Sequence, residues 1–72
     1  MANVEAEMVA NVWKVLVATG AQVAEGDTLV ILESMKMEIP VEAPVAGTVV
    51  ELRVKPEDQV QEGDVLAVID EG

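Results

Sequence analysis

The sequence predicts an all-β fold, a flattened β-barrel of two antiparallel sheets, and three observations carry that prediction. Of the 37 apolar residues in this 72-residue chain, 15 are valine and only one, Trp13, is aromatic. β-Branched side chains suit a pleated, half-buried surface. Glycine, proline and aspartate punctuate short apolar runs, as turns punctuate strands. The chain also repeats itself: shifted by 37 positions, residues 4–33 align with residues 41–70 without a gap, and 11 of the 30 pairs are identical. The longest shared string is Glu25-Gly26-Asp27-x-Leu29 against Glu62-Gly63-Asp64-x-Leu66. A chain of this length folds as one domain, expected over residues 1–72, and buries only about 60% of the surface its unfolded form exposes. Without cysteine it has no disulfide to help it.

Each half reads in the same order. A short extended segment (4–8, 41–45) leads into a strand (11–17, 48–54). A turn follows around Gly20, or around Pro56-Glu57-Asp58. A one-valine bridge at Val23 or Val60 reaches the Gly-Asp turn, and a second strand runs through 28–33 or 65–70. The expected inward positions are Val12, Val15 and Val17, with their mates Val49, Leu52 and Val54. The three-residue step from Val12 to Val15 breaks strict alternation in both halves, so a bulge or corner is expected there, which lets a sheet curl. Neither half can bury its apolar face alone; two halves related by an approximate twofold axis bury both.

The repeats leave one interior segment without a counterpart, Ser34-Met35-Lys36-Met37-Glu38-Ile39-Pro40. By symmetry it is expected near the twofold axis, turning the chain through a tight hairpin centred on Met35-Lys36. Two-residue hairpin loops favour Asn-Gly or Asp-Gly, because both central residues need positive φ. A thioether and a long amine break that rule in a sequence that elsewhere keeps to turn chemistry, and such local conflicts mark functional sites. The competing expectation is plain: a lone lysine serves solubility, and methionines spaced i, i+2 share one strand face and pack in the core.

Charge narrows the function. Four cations (Lys14, Lys36, Arg53, Lys55) face 14 carboxylates, for a net charge of −10. No basic patch or row of aromatics is present to hold a polyanion, which excludes nucleic acid as a direct partner. No apolar run approaches the roughly 20 residues of a membrane span, and no signal-peptide pattern opens the chain; a cytoplasmic monomer is expected, kept apart by its own charge. With neither histidine nor cysteine, acid–base work falls to carboxylates or lysine, and so small a barrel is expected to lack a pocket of about 300 Å³. Glu25/Asp27 and Glu62/Asp64 flank glycines and read as solvated turn residues, not as catalytic pairs.

Glu33-Ser34-Met35-Lys36-Met37 resembles the biotin attachment motif, Glu-Ala-Met-Lys-Met in its commonest form, of the biotinyl domains. The resemblance covers essentially the whole chain. The family's two quasi-symmetric halves are matched by Val17-x-x-Gly20-x-x-Val23-x-x-Gly26-Asp27-x-Leu29 and by Val54-x-x-x-Asp58-x-Val60-x-x-Gly63-Asp64-x-Leu66, and its Ala-Pro…Gly lead into the second half by Ala43-Pro44-Val45-Ala46-Gly47. The resemblance implies the barrel-sandwich hybrid fold. It implies that Lys36 is joined through its ε-amine to biotin by a biotin–protein ligase using biotinyl-adenylate, with Glu33, Ser34, Met35 and Met37 as the motif the ligase reads. It further implies a non-catalytic carrier, passing a carboxyl group from a biotin carboxylase to a carboxyltransferase. A free lysine amine is neutral in only about one molecule in 2,500 at pH 7, so the ligase must supply the base.

The departures are small. Ser34 replaces alanine, a residue of similar size. Gly20-Ala21 and Glu57-Asp58 stand where the family tends to Gly-Asp, which places Glu57 at an unfavourable φ. Ala6-Glu7-Met8-Val9-Ala10 stands where Ala-Pro-Met-Pro-Gly is common. The gapless halves leave no room for the inserted thumb of some bacterial carriers, and with neither an Ala/Pro-rich linker nor an attached carboxylase in residues 1–72 a free-standing carrier is expected if these residues are the natural chain.

Three readings follow: a biotin carrier, a lipoyl carrier on the same fold, and an unmodified barrel-sandwich interaction module. Lipoyl domains prefer Asp-Lys-Ala around the modified lysine, so the two methionines separate the first two readings. Replacing Met35 by Asp together with Met37 by Ala is expected to move modification from biotin toward lipoate. Intact mass after co-expression with both ligases reads this out, and unchanged biotinylation would show that the methionines do not choose the cofactor.

Overall fold

The computed structural model describes residues 1–72 and contains eight strands: β1 (Ala2–Glu5), β2 (Ala10–Val15), β3 (Gln22–Val23), β4 (Thr28–Ser34), β5 (Met37–Glu42), β6 (Gly47–Leu52), β7 (Gln59–Val60) and β8 (Val65–Asp70). They form two four-stranded antiparallel sheets, ordered β1-β8-β6-β3 and β5-β4-β2-β7. A shift of 37 residues carries every strand of one sheet onto a strand of the other, so the repeat is a structural twofold. The halves are not side by side, however. Each sheet takes two strands from each half, and no half possesses a sheet of its own.

Backbone hydrogen bonds outside the strand ladders obey the same symmetry: the 14 of them form seven related pairs. Ala6 donates to the Asp64 carbonyl (2.9 Å) and accepts from Gly63 (2.9 Å); Ala43 donates to Asp27 (2.8 Å) and accepts from Gly26 (2.9 Å). These crossed bonds turn the chain after β1 and β5. The extended segments expected at 4–8 and 41–45 therefore end early, at Glu5 and Glu42, and begin earlier, at Ala2 and Met37. Most of the connection expected at 34–40 is strand, because β5 pairs with β4 from Met37 onward. The strands expected at 11–17 and 48–54 also end early, at Val15 and Leu52, because the chain leaves the ladder toward the turns at Gly20 and Glu57. Leu16 and Arg53 still donate to Leu29 and Leu66 across that departure (2.9 and 2.8 Å).

The expected bulges are present. The pairing of β2 with β4 skips from Val12 to Lys14, and that of β6 with β8 skips from Val49 to Glu51. A second pair lies at Leu29 and Leu66, where β4 meets β5 and β8 meets β1. Four bulges in so short a chain curl both sheets around one core of 14 buried residues. Leu29, Leu32, Leu66 and Ile69 are its largest fully buried side chains, with Val12, Val30 and Val49. Val15, Val17, Leu52 and Val54 only partly enter it. Where β6 approaches β8, a Cβ at Gly47 would collide with the Asp70 carbonyl and the Ile69 side chain, so the residue there must be glycine. No helix is long and apolar enough to cross a membrane.

The body measures 36 × 18 × 17 Å, and the β4–β5 hairpin occupies one end of it. Residue Asn11, near the start of β2, lies beside the hairpin, paired with Glu33. The continuation of β2 reaches the far end, where Gly20 donates to Val49 (2.7 Å) and Val49 pairs with Ile69. Ala2 also pairs with Ile69. The chain ends thus lie opposite the hairpin. The expectation of a hairpin near the twofold axis is corrected: the axis relates the hairpin to the chain ends, and a feature sent to its opposite pole cannot sit on the axis.

The turns at Ala18–Ala21 and Lys55–Asp58 are twofold mates that differ in chemistry. Gly20 has φ 97° and Glu57 φ 78°; both are third residues of turns closed by N–H to C=O bonds of 3.0 and 3.1 Å. Pro56 suits the second position, but a side chain at the third costs about 1–2 kcal/mol. Asp58 offsets some of this by accepting from the Lys55 N–H (3.0 Å). Glu57→Gly is expected to stabilise the fold by about 1 kcal/mol, raising the Tm by roughly 4–8 °C. A calorimetric scan showing no increase would mean that the Glu57 backbone is not strained.

Candidate functional site

Strands β4 and β5 pair from Thr28–Glu42 up to Ser34–Met37, leaving Met35 and Lys36 as a two-residue loop. Their φ values are 51° and 66°, both left-handed, as I′-type hairpin loops require. The loop is held firmly from below. Leu29, Val30 and Leu32 of β4 are buried, and β4 lies between β5 and β2. The tip therefore rides on a central, core-anchored strand.

Nothing in the fold rewards the side chains at this tip. Met35 is 90% exposed and Met37 60% exposed, so the expectation that they pack in the core is overturned: a two-residue loop lifts Met35 off the strand, and β5 is an edge strand with little to cover Met37. Lys36 is exposed and makes no side-chain hydrogen bond or ion pair. Glu33 and Glu38 face each other one pair below Ser34–Met37, both exposed. Ser34, at the end of β4, is half-buried. The five residues Glu33, Ser34, Met35, Lys36 and Met37 thus form one continuous ridge across the loop.

The other cations are differently placed. The Lys14 Nζ lies 4.5 Å from the centre of the Trp13 ring, a cation–π contact. Arg53 pairs with Glu51. Lys55 belongs to the turn that Asp58 closes. Sequence reasoning missed that Met8 and Val9, both exposed, stand at the same end as Lys36, because β2 begins at Ala10 beside the hairpin. The available signal was divergence of the repeats, Glu7-Met8-Val9 against Pro44-Val45-Ala46.

One groove of about 670 Å³ runs between β1 and β5, lined by Val4, Leu32, Ile39 and Val41 with Glu5, Glu7, Glu42 and Glu62 among others. It exceeds the size expected for this barrel because β1 and β5 are edges of different sheets that approach without pairing. Met35, Lys36 and Met37 do not line it. The carboxylates of the Gly-Asp turns behave as expected: Asp27 accepts from the Ala24 N–H (2.8 Å) and Asp64 from the Gln61 N–H (2.9 Å). No group of three or more His, Cys, Asp or Glu side chains is arranged to hold a metal ion.

A family profile described as "Biotin-requiring enzyme" matches residues 2–69. The chain belongs to the biotin/lipoyl attachment family. It is 55% identical to the biotinylated protein TB7.3 homolog of Mycobacterium leprae over 93% of this chain and 94% of that protein. It is 51% identical to the biotin/lipoyl attachment protein of Bacillus subtilis, covering 89% and 88% of the two chains. Among solved structures, the urea carboxylase of Kluyveromyces lactis superposes with a TM-score of 0.90 at 36% identity, over 96% of this chain and 6% of that one. This attachment domain is thus similar both to proteins of its own size and to a small part of a large carboxylase.

Both loop residues carry long side chains at positive φ, where Asn-Gly would be unstrained. Restoring loop chemistry with Met35→Asn and Lys36→Gly together is expected to stabilise the fold by about 1–2 kcal/mol. A urea midpoint no higher than wild type would show that the loop stores no strain.

Proposed function

We propose that this chain is a biotin carrier with Lys36 as its attachment residue, itself without catalytic activity. The observation that carries the reading is the placement of Lys36: an exposed amine, flanked by two exposed methionines, on a core-anchored loop at the pole of the body farthest from the chain ends. Membership of the attachment family supports it. The residues present fit the group, since a covalent carrier needs one unencumbered amine and no surrounding pocket.

The attachment step is amide formation. The Lys36 Nζ attacks the carbonyl carbon of biotinyl-adenylate; the N–C bond forms, the C–O bond to AMP breaks, and the amine proton passes to a base on a biotin–protein ligase. The step removes one positive charge, taking the net charge from −10 to −11. Biotin, when bound, supplies a ureido nitrogen able to carry a carboxyl group. The carrier's own residues keep that group outside the barrel. Glu33, Ser34, Met35 and Met37 present the lysine to the ligase, and the two-residue loop fixes its direction. A biotin carboxylase and a carboxyltransferase are the proposed partners after attachment. The net charge favours a monomeric carrier. The lipoyl alternative is not favoured, since Met35 and Met37 stand where lipoyl domains prefer Asp and Ala.

Co-expression with a biotin–protein ligase tests the assignment. Wild type is expected to gain one biotin by intact mass and to bind streptavidin, whereas Lys36→Arg, folded by circular dichroism, gains none. Wild type left unmodified by an active ligase would sink the carrier reading. Equal labelling of the Arg variant would sink the site.

A further inference from the structure

The geometry points to an oxidation-sensitive switch on the attachment site: conversion of Met35 or Met37 to the sulfoxide by a peroxide blocks acylation of Lys36. The inference rests on the biotin-carrier reading and extends it to regulation of the same site.

The chain contains four methionines and no cysteine, so thioethers are its only oxidisable sulfur. Two of the four flank Lys36. Met35 is the most exposed large apolar residue of the molecule, and Met37 is open over more than half its surface. Exposure sets how fast a thioether meets an oxidant. Neither side chain belongs to the core, so oxidation there changes the tip without loosening the barrel. Met1 lies at the opposite pole beside the start of β1, and Met8 lines the groove between β1 and β5. Met8 also stands at the end of the body that carries Lys36, so the test must tell its oxidation apart from that of Met35 and Met37.

The exposed apolar character of the ridge has no use inside the fold. Met35 accepts a left-handed backbone, and neither methionine gains a buried contact in return. The partner that must reach the Lys36 Nζ therefore meets these side chains first. A thioether is soft and apolar and enters an apolar recess readily. In the oxidation, a sulfur lone pair attacks one oxygen of hydrogen peroxide, an S–O bond forms and the O–O bond breaks. Sulfur loses two electrons and the peroxide is reduced to water. The product carries a strong S–O dipole where the partner surface is matched to a thioether, and burying it without a hydrogen-bond donor is unfavourable. Methionine sulfoxide reductases reverse the change, which makes it a switch.

The test treats the unmodified chain with hydrogen peroxide, removes the oxidant with catalase, and maps oxygen addition by peptide mass. The initial rate of biotin incorporation is then measured with untreated ligase, ATP and biotin. The expected result is a fall of about tenfold or more when Met35 and Met37 are oxidised, restored by methionine sulfoxide reductases A and B. Met8→Leu keeps that sensitivity. Met35→Leu with Met37→Leu, compared with its own untreated rate, loses it. An undiminished rate at full oxidation of both residues overturns the inference. So does a fall that reductases do not reverse, or one that persists in the double leucine variant. If the untreated chain takes up no biotin, the carrier reading itself fails and the inference goes with it; normal uptake that is insensitive to oxidation fails the inference alone.

Discussion

Strand exchange between the two halves is the constraint on which this molecule depends. Each sheet is woven from two strands of each repeat, and the bonds of Ala6 and Ala43 to the opposite half's Gly-Asp turns fasten the exchange. Each half supplies the central pair of one sheet, β2–β4 or β6–β8, and the flanking strands of the other, so neither half can complete a sheet before the other arrives. This suits a chain too short for two cores: one cluster of valines, leucines and alanines closes both sheets at once. It also accounts for the repeat itself, since a twofold lets one set of turns, bulges and buried leucines be used twice.

Symmetry of this kind leaves room for one exception. The hairpin between the halves is the only turn without a counterpart, because its twofold mate is the pair of chain ends. A residue needed once, and not twice, belongs there. Lys36 occupies that position, on a loop short enough to fix its direction and a strand buried enough to hold it still. Lys14 and Arg53 are engaged with Trp13 and Glu51, Lys55 lies in a separate turn at the same end of the body, and the surrounding surface is acidic. On the proposed reading, selectivity for one lysine among three comes from where the fold places it.

Much of this was legible in the residues because it is local or periodic. The gapless 37-residue repeat gave the twofold, the Val12-to-Val15 step gave one pair of bulges, and the rule-breaking Met35-Lys36 pair gave the loop. Glu57 at positive φ was legible from its alignment with Gly20. The exchange of strands was not, because valine patterning says which face is buried but not which partner lies beside it. The second bulge pair was hidden for a related reason: Leu29 and Leu66 sit in nearly continuous apolar runs, where a skipped residue leaves no break in alternation. The exposure of Met37 was missed because periodicity cannot tell an edge strand from a central one. Residues Met8 and Val9 came to the tip only through the pairing of Asn11 with Glu33.

The polarity of the body has a practical consequence. Ala2 and Ile69 are neighbours at the pole away from Lys36, and the long dimension is 36 Å. A molecule that carries biotin on Lys36, as proposed, and is anchored through it to an avidin-coated surface would stand upright, with both chain ends turned toward the bulk solution. Cargo fused to either end would clear the surface by the length of the barrel, in a single orientation, without masking the anchor. The same polarity lets such a unit hang from a much larger protein by one end while its other end stays free to visit distant sites.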